Sequence, residues 1–96
     1  MGDFNDTRLY VGNLPDQVDK ASLFDLFERC GAVRDVFIPF KRDSRGILVG
    51  ESKGYAFVEM DTPEEARDAI QMMHGQLFIS RKLIVRVADQ RAPRTQ

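Results

Sequence analysis

Lys53-Gly54-Tyr55-Ala56-Phe57-Val58-Glu59-Met60 is the stretch on which the reading of this chain turns. Its alternating apolar and aromatic residues predict a β-strand over Gly54–Met60. Side chains alternate between the two faces of a strand, so Ala56, Val58 and Met60 share one side. Tyr55, Phe57 and Glu59 share the other. An antiparallel sheet with one wet face should be apolar inward and polar outward. The inward side obeys that rule, but the outward side carries two rings.

The same anomaly recurs upstream. In Arg8-Leu9-Tyr10-Val11-Gly12-Asn13-Leu14, stopped by Pro15-Asp16, Leu9 and Val11 point one way and Tyr10 the other. Val33–Phe40 predicts a second strand with Val36 and Ile38 inside and Phe37 outside. A last strand over Lys82–Ala88 sets Leu83, Val85 and Val87 against Ile84 and Arg86.

Two amphipathic helices separate these strands. Asp19 is a good N-cap, and Leu23, Leu26, Phe27 and Cys30 form one stripe, with Gly31 expected as the left-handed stop. Phe24 lies off that stripe and reads as exposed. Thr62-Pro63-Glu64-Glu65 is a capping box with proline preset at the first helical position. Ala66, Ala69, Ile70 and Met73 follow as a stripe, closed by Gly75. Single stripes require both helices to pack on one sheet face. The expected fold is α+β: a β-α-β-β-α-β ferredoxin-like sandwich with a four-stranded antiparallel sheet and two helices on one face. Lys41–Ser52 reads as loop. Ile47, Leu48 and Val49 make it unusually apolar, either as a hairpin extension or as a partner contact.

Ninety-six residues, 43% hydrophobic and 30% charged, suit one soluble domain. Residues 1–6 and the basic 90–96 read as flexible ends around a domain over 7–89, itself read as a piece of a larger protein. No apolar run nears the roughly 18 residues of a membrane span, and the acidic N-terminus is unlike a signal peptide. A lone Cys30 fits a reducing compartment, so a nuclear or cytoplasmic rather than secreted location is expected. The net charge of −1 conceals segregation. Acid gathers in the helical segments as Asp16, Asp19, Asp25, Glu28, Glu64, Glu65 and Asp68. Base gathers as Lys41, Arg42, Arg45 and Lys53 around one loop, and as Arg81, Lys82, Arg86, Arg91 and Arg94 at the end. One face can therefore attract phosphates.

Rings clustered on a wet sheet face mark a binding surface, and nucleobases are suitable partners because each has a π-face. The same residues carry a resemblance. Leu9–Leu14 resembles the six-residue ribonucleoprotein motif of the RNA recognition motif family. Lys53–Met60 resembles its eight-residue motif, K/R-G-F/Y-G/A-F-V-x-F/Y, and departs only at Met60. The resemblance covers Thr7 to about Asp89 and implies a single-stranded RNA-binding domain of an mRNA-processing or ribonucleoprotein kind. It implies that Tyr10 and Phe57 stack bases, Tyr55 meets a sugar or neighbouring base, and Lys53 meets a phosphate. Asn13, Phe37, Ile84, Arg86, Gln90 and Arg91, with Asp89, form a wider implied set. Glu59 would repel phosphates but accept hydrogen bonds from base amino groups. Single-stranded DNA is a possible ligand in vitro, and a monomer is expected.

Two alternatives compete. Some relatives bind peptides through an acidic first helix and an Arg-x-Phe signature; Ser80-Arg81-Lys82-Leu83 lacks that Phe. A protein partner on the helical face or at Ile47–Val49 stays open. Small acylphosphatases share this element order but need a glycine loop and a catalytic Arg where Asn13-Leu14-Pro15-Asp16 stands. With His74 as the one histidine, no catalytic set, metal or cofactor is expected, and the chain is read as a non-enzyme.

Overall fold

A computed structural model describes residues 7–15 and 17–88. The elements are β1 (Arg8–Gly12), α1 (Lys20–Glu28), β2 (Val33–Phe37), β3 (Phe40–Arg42), β4 (Leu48–Ser52), β5 (Tyr55–Met60), α2 (Pro63–Met73), β6 (Leu77–Phe78), β7 (Arg81–Lys82) and β8 (Ile84–Val87). Four strands form the main sheet in the order β2-β5-β1-β8, every pairing antiparallel. This is the expected β-α-β-β-α-β sandwich, with two small hairpins added. The expected flexible ends, and with them Asp89, Gln90 and Arg91, lie outside the described residues.

The inward residues of the sheet and the helix stripes close one core. Leu9, Val11, Ala56, Val58 and Met60 are fully buried against Leu23, Phe27, Ala66 and Ala69. Met60 thus fills the inward position where its flexible side chain was expected to pack. Leu26, Cys30 and Ile70 are half-buried at the core's margin. Phe24, expected outside, also leans on the core and is half-buried. Burial, with help from the Asp68 carboxylate, pushes the Cys30 thiol up, as suits a packing residue rather than a nucleophile.

Each helix start is capped as read. Asp19 accepts from the Ser22 N–H at 2.8 Å, and Thr62 Oγ1 accepts from the Glu65 N–H at 3.1 Å. The Glu65 carboxylate does not complete a reciprocal capping box on the Thr62 backbone. It takes the Thr62 hydroxyl at 3.1 Å and the Ala32 N–H at 3.0 Å, tying α2 to the turn before β2. Gly31 does not take the left-handed helical conformation expected of a stop: its φ is 157°, a positive value that L side chains rarely adopt, and α1 ends at Glu28. Glycine is needed there because a Cβ would stand 2.6 Å from Glu65 Cγ. Gly75, at φ 83°, does end α2 in the left-handed region.

Three expectations about strands change. The second strand stops at Phe37, and Phe40, read as its end, instead opens a hairpin, β3–β4, the hairpin extension left open for the Lys41–Ser52 segment. Asp43 builds its turn by accepting from the Arg45 and Ile47 N–H groups at 2.8 and 3.0 Å. Those bonds hold the Asp43 carboxyl below its usual range. The last strand begins at Ile84, because Arg81–Lys82 pairs back on Leu77–Phe78. Its turn uses Ile79 and Ser80 at φ 48° and 67°, a conformation that ordinarily selects asparagine and glycine. Finally, Val87 faces the helical side by register with Leu9 yet stays 38% exposed, because β8 is an edge strand.

Thr62→Ala removes the α2 cap and should lower stability by about 1 kcal/mol, measured by urea unfolding. At α1, bonds from the Ser22 hydroxyl and N–H hold the Asp19 carboxyl below its ordinary value. That contribution is present above the unfolded-state pKa and is lost as pH falls through the lower folded-state one. The stability gap between the parent and Asp19→Ala should therefore be full at neutral pH and shrink in acid, by parallel thermal melts.

Candidate nucleic-acid interface

Strand pairing arranges the open sheet face in three rows. Phe37, Phe57, Tyr10 and Arg86 stand opposite one another across β2, β5, β1 and β8. On one side of this row lie Asp35, Glu59 and Arg8; on the other lie Tyr55, Gly12 and Ile84. A bulge between Val33 and Asp35 lets Val33 pack on the core while Asp35 and Phe37 face outward.

The rings form one cluster. Tyr10 and Tyr55 stack with centroids 5.8 Å apart, and Phe57 meets both edge-on, at 6.1 Å from Tyr10 and 5.7 Å from Tyr55. Tyr10, Tyr55 and Phe57 are half-buried and Phe37 is 53% exposed. The half-burial comes from neighbours on the face itself. The Arg86 guanidinium lies 4.5 Å from the Tyr10 centroid and that of Arg8 lies 4.6 Å from Phe57, both in cation–π geometry. Tyr10 also lies low over Gly12, where an added Cβ would sit 2.7 Å from its hydroxyl.

Other expected site residues divide. Ile84 and Arg86 are exposed on the same face, and Lys53 is exposed just before it. Gly54, at φ 90°, turns the chain into β5, and its carbonyl accepts the Leu14 N–H at 2.9 Å. Asn13 is committed within the chain: its amide donates to the Lys82 carbonyl at 2.8 Å, and its oxygen accepts from Arg81 at 3.0 Å. His74 is likewise committed, its Nδ1 accepting the Val85 N–H at 3.1 Å. Of the loop cations, Arg42 donates to the Gly46 carbonyl and Arg45 pairs with Asp43, so both hold the hairpin. Ile47, Leu48 and Val49 are exposed along it. Arg8 and Gly12 were not singled out from sequence. Parity alone puts Arg8 on the Tyr10 side, but its place over Phe57 follows only from register.

The family model described as RNA recognition motif matches residues 9–84. The chain belongs to the RNA recognition motif family. Among curated relatives of this RNA recognition motif, "Probable RNA-binding protein 18" of Bos taurus is 37% identical over 87 residues, 91% of this chain and 45% of its own. The chloroplastic 28 kDa ribonucleoprotein of Spinacia oleracea is 38% identical over 94 residues, 97% of this chain and 38% of its own. The chain therefore spans less than half the length of either relative. Among solved structures, the Rna15 recognition motif with bound RNA (GU) superposes with a TM-score of 0.76. It is 26% identical, with 88% of this chain and 84% of that chain covered. Among the described residues, no helix is long and apolar enough to cross a membrane.

Gly12→Ala should leave the fold intact while driving the Tyr10 ring off its seat, because the clash is with a side chain that can move. Ring-proton shifts of Tyr10 and Tyr55 in NMR spectra should change with little effect on the unfolding midpoint.

Proposed function

We propose that this domain binds single-stranded RNA by laying bases on the rings of the open sheet face. The observation that carries the reading is the row Phe37–Phe57–Tyr10–Arg86, flanked by Tyr55, on a face that no helix covers among the described residues. A base stacked on an aromatic side chain gains roughly 1–3 kcal/mol irrespective of its identity. Arg86 and Arg8 occupy two of those ring faces, so an arriving base displaces them. Each freed guanidinium then stands beside the ligand's backbone, where it can take a phosphate oxygen in a bidentate contact. Lys53 adds a further cation; Gln90 and Arg91, outside the described residues, are proposed contacts on the sequence resemblance alone. A π-face stacks a base whichever sugar carries it, so single-stranded DNA should bind through the same face.

The domain works as a monomeric binding module within a longer RNA-processing or ribonucleoprotein chain, not as a catalyst. His74 accepts a backbone N–H through its Nδ1 and has no place on the open face. The lone thiol of Cys30 suits a reducing compartment, nucleus or cytoplasm. The exposed Ile47–Val49 stretch of the hairpin and the acidic helical side are where a protein partner would bind.

Fluorescence-anisotropy titration of short labelled RNAs tests the reading. Tyr10→Ala and Phe57→Ala should each weaken binding by about 1–3 kcal/mol while leaving the domain folded. Lys53→Ala should weaken all sequences alike and flatten the salt dependence. Undiminished affinity in the Tyr10→Ala, Phe57→Ala double variant would remove the sheet face as the site.

A further inference from the structure

We propose that the base taken by Phe57 is one whose pairing edge donates hydrogen bonds (cytosine, adenine or guanine, not uracil) and that Glu59 and Asp35 read that edge. The inference rests on the stacking function proposed above and adds selectivity at one position.

Asp35 and Glu59 stand directly opposite each other across β2 and β5 on the open face. Like charges placed so are destabilising, and here they also confront the surface a phosphate backbone would approach. Neither the core nor a helix cap uses them. Glu59 is nonetheless held: the Thr7 hydroxyl donates to its Oε2. The lone pairs of the second oxygen can then accept from a ligand.

Both carboxylates line a pocket of about 40 Å³ together with Arg8, Phe37 and Phe57. At the roughly 10–15 Å³ that one water needs, that is room for a few water-sized groups. A base lying on Phe57 can place an exocyclic amino group there. The resting chain already shows what the position accepts. Arg8 sets a planar group rimmed with N–H donors 4.6 Å from the Phe57 centroid, forming a wall of the same carboxylate-lined pocket. The base that displaces it must offer donors in turn, or leave two carboxylates facing acceptors. Cytosine presents N4 and adenine N6; guanine presents N1 and N2. Uracil offers one N–H flanked by two carbonyl oxygens, which would meet the carboxylates lone pair to lone pair.

The test uses the 96-residue chain and labelled nonamers of uridine in which one position at a time is cytidine, adenosine or guanosine. In the parent protein, at least one position should gain about fivefold or more in affinity over oligouridine. Glu59→Gln and Asp35→Asn keep size and shape but offer a donor as well as an acceptor. Singly they should narrow that gain, and together abolish it, with oligouridine affinity unchanged or higher. Discrimination that survives the double variant, or a parent that binds all the nonamers alike, overturns the inference. Phe57→Ala separates this from failure of the stacking reading. If it weakens every nonamer, the face is the site and only the edge reading stands or falls with the carboxylates. If it weakens none, the stacking reading fails and this inference with it.

Discussion

The pairing of β1 with β5 in one register is the constraint on which both faces of this molecule depend. Leu9 opposite Val58 and Tyr10 opposite Phe57 are consecutive steps of the same ladder. The first pair is fully buried under the helices, and the second makes the floor of the open face. A slip of one residue would exchange them, putting rings into a core shaped for aliphatics and aliphatics into water. The hydrophobic requirement of the core therefore fixes, without further adjustment, where the rings stand. Core and site are two sides of one register.

Rings on a wet face carry a cost, and the structure reduces it locally. Tyr10, Tyr55 and Phe57 bury edges and faces in one another, and Arg8 and Arg86 lie over Phe57 and Tyr10. Such contacts are individually worth about 0.5–1.5 kcal/mol, and of the two cations Arg86 is exposed and Arg8 half-buried, so a ligand can replace them. The face is thereby stable when empty yet open to a stacking partner. A covering helix in place of the arginines would have been far harder to displace.

Charge follows the same division. Glu65 ties α2 to the turn before β2, and Asp19 caps α1, so part of the chain's acid is spent on the helical side. On the open side Arg8, Arg86 and Lys53 border the rings, interrupted by Glu59 and Asp35. A near-neutral chain can thus present a face with both attraction for phosphates and a local demand for donors.

Much of this was legible in the chain itself. Period-two alternation in Tyr55–Met60, stripes at Leu23–Phe27 and Ala66–Met73, and the Thr62–Glu65 cap specify the elements through local chemistry. Parity alone told that Tyr10, Phe37, Tyr55 and Phe57 face outward. What depends on chain segments far apart in sequence was not legible. Gly31 is a glycine because Glu65, on another helix, packs where its side chain would be. The Ile79–Ser80 turn escaped notice because its residues contradict ordinary turn preference, and pairing on either side holds them in place. Asn13 was read only as a ligand contact, and its bonds to Lys82 and Arg81 appear only when tertiary structure brings those residues to it. The rows themselves, with Arg8 over Phe57 and Asp35 across from Glu59, exist only once three strands pair. Alternation along a strand assigns a side chain to a face, but only register across the sheet assigns it neighbours.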